Sequence, residues 1–265
     1  MIKLRLLFVI LTMIRRSLLV LFAVFSLQSV FAQDLPKLMP EERRMLYTRE
    51  WSFMPSISSR GWGLGLRHSR VNSNFRKLSF ETEMAKVKHP KEIKVVNPYF
   101  DNAKSYVYGK KNAFYTLRAG MGTQFLLFDK APQDGVEISF TIMGGLSQGL
   151  LKPIYLEIIK ETNINYQYEI VTERYNEYEH FAGNIYGYSG FLKGLNELSL
   201  VTGGYVRSGL SFDWSSKDNK ILSLETGTII DLYPKRVPIM ADFGELKNKQ
   251  VFISFYANLL LGKKY

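Results

Sequence analysis

From about Arg60 to the C-terminus, apolar and polar residues alternate with a period of two, the mark of strands whose successive side chains point to opposite faces. Eight strands are predicted. Arg60 to Val71 sets Trp62, Leu64 and Leu66 on one face with glycines between them. Arg76 to Lys88 sets Leu78, Phe80, Thr82 and Met84 against Ser79, Glu81 and Glu83, after a connection short enough for a hairpin. The next three cover Asn112 to Leu127, Gly135 to Ser147 and Leu150 to Lys160. Leu200 to Trp214 and Asn219 to Tyr233 follow. The last, Lys249 to Tyr265, aligns Val251, Ile253, Phe255, Ala257, Leu259 and Leu261 and ends on an aromatic residue.

An even number of such strands, each long enough for the ~9–11 residues of a tilted spanning strand, predicts an all-β fold. The expected architecture is a closed antiparallel up-and-down transmembrane β-barrel over 60–265. Counted from a periplasmic N-terminus, 148–149 and 215–218 become periplasmic turns, while 161–199 and 234–248 face outward. Residues 89–111 break this pattern, because 23 residues stand where a short periplasmic turn belongs. Either they form an ordered periplasmic feature or the strand count misses a pair there. A soluble exported ligand-binding barrel shares the alternation. The low charge of the polar faces, which are rich in glycine, serine and threonine, favours a membrane.

The N-terminus agrees with that location. Arg15 and Arg16 precede a largely apolar run from Ser17 to Phe31, with Val30 and Ala32 before the expected cut. Residues 1–32 are therefore expected to be a cleaved signal peptide, with translation starting at Met1 or Met13. Residues 33–59 follow as a periplasmic leader with a short helix at Glu41–Tyr47 after Pro40. Removing 1–32 takes four basic residues from a net charge of +11 and leaves +7. No basic helix or RNA-recognition motif organises that charge, so no nucleic-acid partner is expected. The chain has no cysteine, which excludes disulfides, zinc–thiolate sites and cysteine nucleophiles.

If the apolar faces meet lipid, the lumen collects Lys77, Glu81, Glu83, Arg118, Glu137, Glu157, Arg207 and Glu225. An eight-stranded barrel is just wide enough for side chains to fill, and enclosed charges must pair. A structural ion-pair plug is expected, with no catalytic residue, metal or cofactor. His68-Ser69 invites comparison with barrel enzymes that modify lipid, but neighbours on a strand point to opposite faces. His89 and His180 have no ligand spacing to other groups.

The connection 161–199 holds six acidic and two basic residues, together with the aromatics Tyr166, Tyr168, Tyr175, Tyr178, Phe181, Tyr186, Tyr188 and Phe191. Tyrosine offers stiff contact area with a polar tip, so this is the candidate extracellular contact loop. An interfacial aromatic belt accounts for its first half equally well. Segment 86–111 has the opposite sign, with seven lysines against Glu92 and Asp101. It suits an acidic periplasmic or envelope protein partner or lipid headgroups; a solvated loop is the plainer account.

Three stretches carry a family resemblance: Phe31-Ala32-Gln33, Asn112-Ala-Phe-Tyr-Thr-Leu-Arg-Ala-Gly-Met-Gly122 and Leu261-Gly-Lys-Lys-Tyr265. Through them the chain resembles small outer-membrane β-barrel proteins of Bacteroidota type, in the PorT-like, PorG-like or OmpX-like group. The resemblance implies an outer-membrane protein embedded in lipid and without enzymatic activity. It also implies a structural or accessory role in envelope assembly or secretion, type IX secretion included. It supplies no catalytic or binding residue.

Overall fold

The computed structural model describes residues 47–265, apart from 74, 101, 131–134, 163–166, 216, 218 and 243–247. The expected signal over 1–32, and all of the expected helix except Tyr47, fall outside the described residues. Thirteen strands are described. Those of the barrel are β1 (Arg49–Ser58), β2 (Gly61–Ser73), β3 (Arg76–Val87), β6 (Asn112–Phe128), β7 (Glu137–Pro153), β11 (Ser199–Asp213), β12 (Lys220–Leu232) and β13 (Val251–Lys264). Each pairs antiparallel with the barrel strands before and after it, and β1 closes the ring against β13. The fold is all-β, a closed eight-stranded up-and-down barrel. The other strands are β4 (Lys94–Val95), β5 (Tyr106–Val107), β8 (Tyr155–Thr162), β9 (Gln167–Arg174) and β10 (Ile185–Tyr188). They build a two-stranded sheet, β4-β5, and a three-stranded one, β10-β8-β9.

The expected count is right, but two of its members change. Arg49–Ser58, expected in the leader, is the first barrel strand and pairs on both sides. Pro55 hid it: a proline inside an alternating run demotes that run as a strand, since it gives no N–H to the ladder. Conversely, Leu150 to Lys160 is not one barrel strand. β7 runs in phase through Gly149 to Pro153, and β8 then leaves the barrel. Gly149 marks a packing requirement, not a turn: a Cβ there would lie 2.7 Å from the Phe114 ring.

Adding a strand at the front moves the third connection to the other end. Segments 59–60, 88–111, 154–198 and 233–250 all emerge at one end, termed here the cap end. Connections 74–75, 129–136 and 214–219 lie at the other, with the start of β1 and the end of β13. Segment 89–111 is thus not opposite 161–199, as expected, but beside it. Its 23 residues cease to be anomalous.

Polarity is reversed across the barrel wall. On β3 Phe80 and Met84 are 44% and 52% exposed, while Glu81 and Glu83 between them are 3% exposed each. β13 repeats the arrangement, with Ile253, Phe255 and Leu261 outward and Ser254, Tyr256 and Asn258 inward. The two largest apolar cores among the described residues lie toward the cap end, and smaller clusters, Met54 with Ile221 and Leu260 and Tyr205 with Ile229 and Tyr256, sit within the barrel. Val87, Phe114, Leu151, Tyr233, Val237, Ile239, Met240 and Phe252 form a plug in the barrel mouth. A second core, built around Leu156, Ile158, Tyr175 and Ile185, lies in the cap.

Candidate functional site

The register of the strands assembles the charges at the middle of the lumen. Arg67 on β2 stands opposite Glu81 on β3, and Arg118 on β6 stands opposite Glu83. Arg67 donates to Glu81 Oε2 at 2.8 Å and spans the lumen to Glu225 Oε2 on β12 at 2.5 Å. Arg118 grips Asp231 with two parallel bonds of 2.8 and 2.7 Å, and also reaches Glu83 at 3.2 Å. Arg207 on β11 crosses to β3, pairing with Glu81 at 2.5 Å and with Glu83. Its guanidinium also lies over the Tyr256 ring, 4.8 Å from the centroid.

Hydroxyl groups complete the carboxylate shells. Tyr256 donates to Glu225 at 2.9 Å, Ser56 to Glu83 at 2.8 Å and Ser147 to Asp231 at 3.0 Å. Inward glycines make the room: a Cβ at Gly120 would sit 2.6 Å from the Tyr205 hydroxyl, and one at Gly209 would strike that of Tyr256. Three arginines and four carboxylates, all buried, thus tie opposite walls together. Such pairing offsets the desolvation of ions that unpaired would cost several kcal/mol each (order of magnitude). Chemically the network is a brace that fills the cross-section.

Of the eight charges expected in the lumen, Glu81, Glu83, Arg118, Arg207 and Glu225 belong to this network. Lys77 and Glu137 lie nearer the other end, where Lys77 bonds Glu50 at 2.9 Å and approaches Glu137 at 3.8 Å. They line a small polar recess together with Ser52, Ser69 and Asp213. Glu157 is elsewhere: it lies on β8 in the cap and accepts a 2.7 Å bond from Lys104. Its misplacement follows from reading β8 as a barrel strand. Arg67 and Asp231 were missed, although both occupy inward positions once the phase of β2 and β12 is followed. Ser69 and His68 point apart. Ser69 meets Ser79 inside at 2.8 Å, whereas the His68 ring lies outside against Trp51, with Nδ1 at 3.1 Å from the Glu50 carbonyl.

The cap is knitted from all three long connections. Asn97 donates to the carbonyls of Ala182, Gly183 and Ile185, at 2.8 Å in the last case. Lys111 reaches Glu177 at 3.0 Å, and Ala241 N donates to the Gly109 carbonyl at 2.6 Å. Segment 234–241 folds inward, so Ile239 is wholly buried above the lumen and its carbonyl accepts from the amides of Lys111 and Asn112. The eight aromatics of the expected contact loop separate accordingly. Tyr168, Tyr178, Phe181 and Phe191 are exposed, while Tyr186 and Tyr188 are half-buried. Tyr175 is core, and burial pushes its phenol up to about 12. Tyr166 lies outside the described residues.

Both remaining histidines are structural. His89 is buried and accepts from Lys91 N at 3.3 Å, while His180 accepts from Asn176 N at 3.0 Å. Burial foremost, together with Lys249, Arg60 and Lys91 and against Glu92, holds the His89 imidazole below its ordinary value.

No family model matches the chain, and no curated protein matches it. Among solved structures it is similar to Neisserial surface protein A, with 11% identity over 82% of this chain and 95% of that one and a TM-score of 0.37. It is also similar to Ail, the attachment invasion locus protein of Yersinia pestis, with 9% identity over 82% and 97% and a TM-score of 0.36. At these scores neither likeness bears on what the chain does.

Proposed function

We propose that the chain is a non-enzymatic β-barrel of the bacterial outer membrane, exported through a cleaved signal peptide, with a sealed barrel as anchor and the cap as its working surface. The observation that carries this reading is the reversed polarity of the wall. Apolar side chains circle the outside, and ions and hydroxyls fill the inside. Water outside such a wall would face a continuous apolar belt far larger than soluble proteins leave bare, whereas lipid requires it. All three long connections emerge at the cap end and the connections at the other end are shorter, which supports an extracellular cap over periplasmic turns. A lumen crossed by ion pairs and an apolar plug favours a structural or accessory role over conduction. The contact partner is then an envelope component meeting the cap. Service to a secretion assembly, type IX included, rests on the family resemblance alone.

The test is migration of the protein from purified outer membranes on a detergent gel, unboiled against boiled. A shift between the two samples supports a closed, detergent-resistant barrel. An unshifted protein recovered in the soluble fraction refutes the membrane reading.

A further inference from the structure

The lysines of segment 86–111 divide into two groups. Lys104, Lys110 and Lys111 turn into the cap, where each holds a carboxylate: Glu157, Glu92 and Glu177 respectively. Lys86, Lys88, Lys91 and Lys94 have no carboxylate within ion-pair distance among the described residues. Lys86 is the uppermost member of the outward row Leu78, Phe80, Thr82 and Met84, and its ammonium lies 5.9 Å from the centroid of the Tyr115 ring. The Lys88 amide, two residues on, is fixed to the Arg60 carbonyl of the β1–β2 turn at 2.7 Å. Lys91 and Lys94 are exposed beyond it. Between and after them Ile93, Val96 and Tyr99 are 71%, 54% and 79% exposed.

We infer that this rim, from Lys86 to Tyr99, binds the phosphates of anionic lipid headgroups in the leaflet surrounding the cap end. The inference rests on the membrane barrel proposed above. Four cations without a carboxylate partner among the described residues, leading on from the outward row of β3, meet a plane of phosphates with opposite charge. The interleaved aliphatic and aromatic side chains suit the boundary just below that plane, where long lysines extend their charge toward the headgroups. An acidic soluble partner would meet the lysines but leaves unexplained their continuity with the outward row of β3. The same segment was read from sequence as periplasmic. Its place at the cap end gives the lysines a leaflet instead of a periplasmic partner.

The full-length protein would be placed in phosphatidylcholine bilayers with trace spin-labelled phosphatidic acid or spin-labelled phosphatidylcholine. Electron paramagnetic resonance would then measure how much of each label the protein restrains. Phosphatidic acid should be preferred about fivefold, as roughly one effective lysine–phosphate attraction implies. That preference should fall to parity in a K86Q/K88Q/K91Q/K94Q variant whose gel shift is unchanged. If that variant does not fold, K91Q/K94Q, altered only beyond the strand, should still lose part of it. Equal restraint of both labels by the native protein would overturn the inference, as would a preference that survives the folded variant. Retention on immobilised polyphosphate without any lipid preference would give the rim to a soluble anion, and would overturn it too. Restraint of neither label would remove the barrel reading itself, a failure distinct from equal restraint of both.

Discussion

The lumen and the cap are built by opposite rules within one chain. At the level of Glu81 the buried atoms are charged and the exposed ones apolar. In the cap, at Ile158, an apolar core sits against a small sheet whose outer face carries Glu157, Thr172 and Arg174. The first arrangement needs a non-aqueous surround, and the second needs water. What separates them is the height of the residue relative to the rim, since both are strands with the same period of two. Alternation therefore reports a strand without reporting which of its faces is buried.

The comparison breaks first at Glu81. This carboxylate binds Arg67 and Arg207 together, so Glu81→Gln preserves shape while leaving two buried guanidinium groups one partner short. Removing one member of a buried ion pair costs about 3–5 kcal/mol. We expect the unfolding free energy of the barrel, measured by urea titration in detergent micelles, to fall by that amount, seen as a lower midpoint with an unchanged denaturant slope. A loss below about 1 kcal/mol, the range of exposed pairs, would show that water reaches the network and that the lumen is not sealed.

Ile158→Ala probes the other rule. Its side chain is 1% exposed in the cap core, and truncation of such a residue costs about 2–5 kcal/mol with the cavity included. The loss should be local. Protease should cut within 154–198 faster, while the heat-induced gel shift of the barrel stays in place. Parallel loss of both would mean that cap and barrel unfold as one unit, and the contrast between them would be one of composition only.

How much of this could be read from the chain follows the same division. Seven of the eight barrel strands were legible, because a barrel strand with a polar inner face and an apolar outer one must alternate over its length. β1 was lost to Pro55, and that omission carried 89–111 to the wrong end. In the network, Glu81, Glu83, Arg118, Arg207 and Glu225 were legible as inward charges, whereas their pairing was not, since it depends on register across the barrel. The cap core was illegible. Tyr175 and Tyr178 look alike in sequence, yet one is core and the other 89% exposed, a difference made by packing that brings Tyr106, Ala113 and Ala241 from other segments into the Tyr175 cluster. The inward fold of 234–241 likewise rests on bonds between distant backbones, not on any motif.

Glu157 offers the sharpest version of the comparison, because alternation placed it with Glu81 and the fold does not. It shares one lysine with the cap surface: Lys104 is more than half exposed, and the carboxylate itself keeps a sixth of its side chain in solvent. An ion pair in that setting gains little, since water solvates both partners when they separate and salt screens what remains. Glu157→Gln, chemically the same change as Glu81→Gln, should therefore cost no more than about 1 kcal/mol. It should leave the urea midpoint of the barrel where it was, with only a slight rise in protease cleavage of the cap that added salt reproduces in the native protein. A loss comparable to that at Glu81 would mean that the cap pair is shielded from water. The cap would then be read as part of the lumen's ionic brace, and the line between the two rules would lie above β8 and not at the rim.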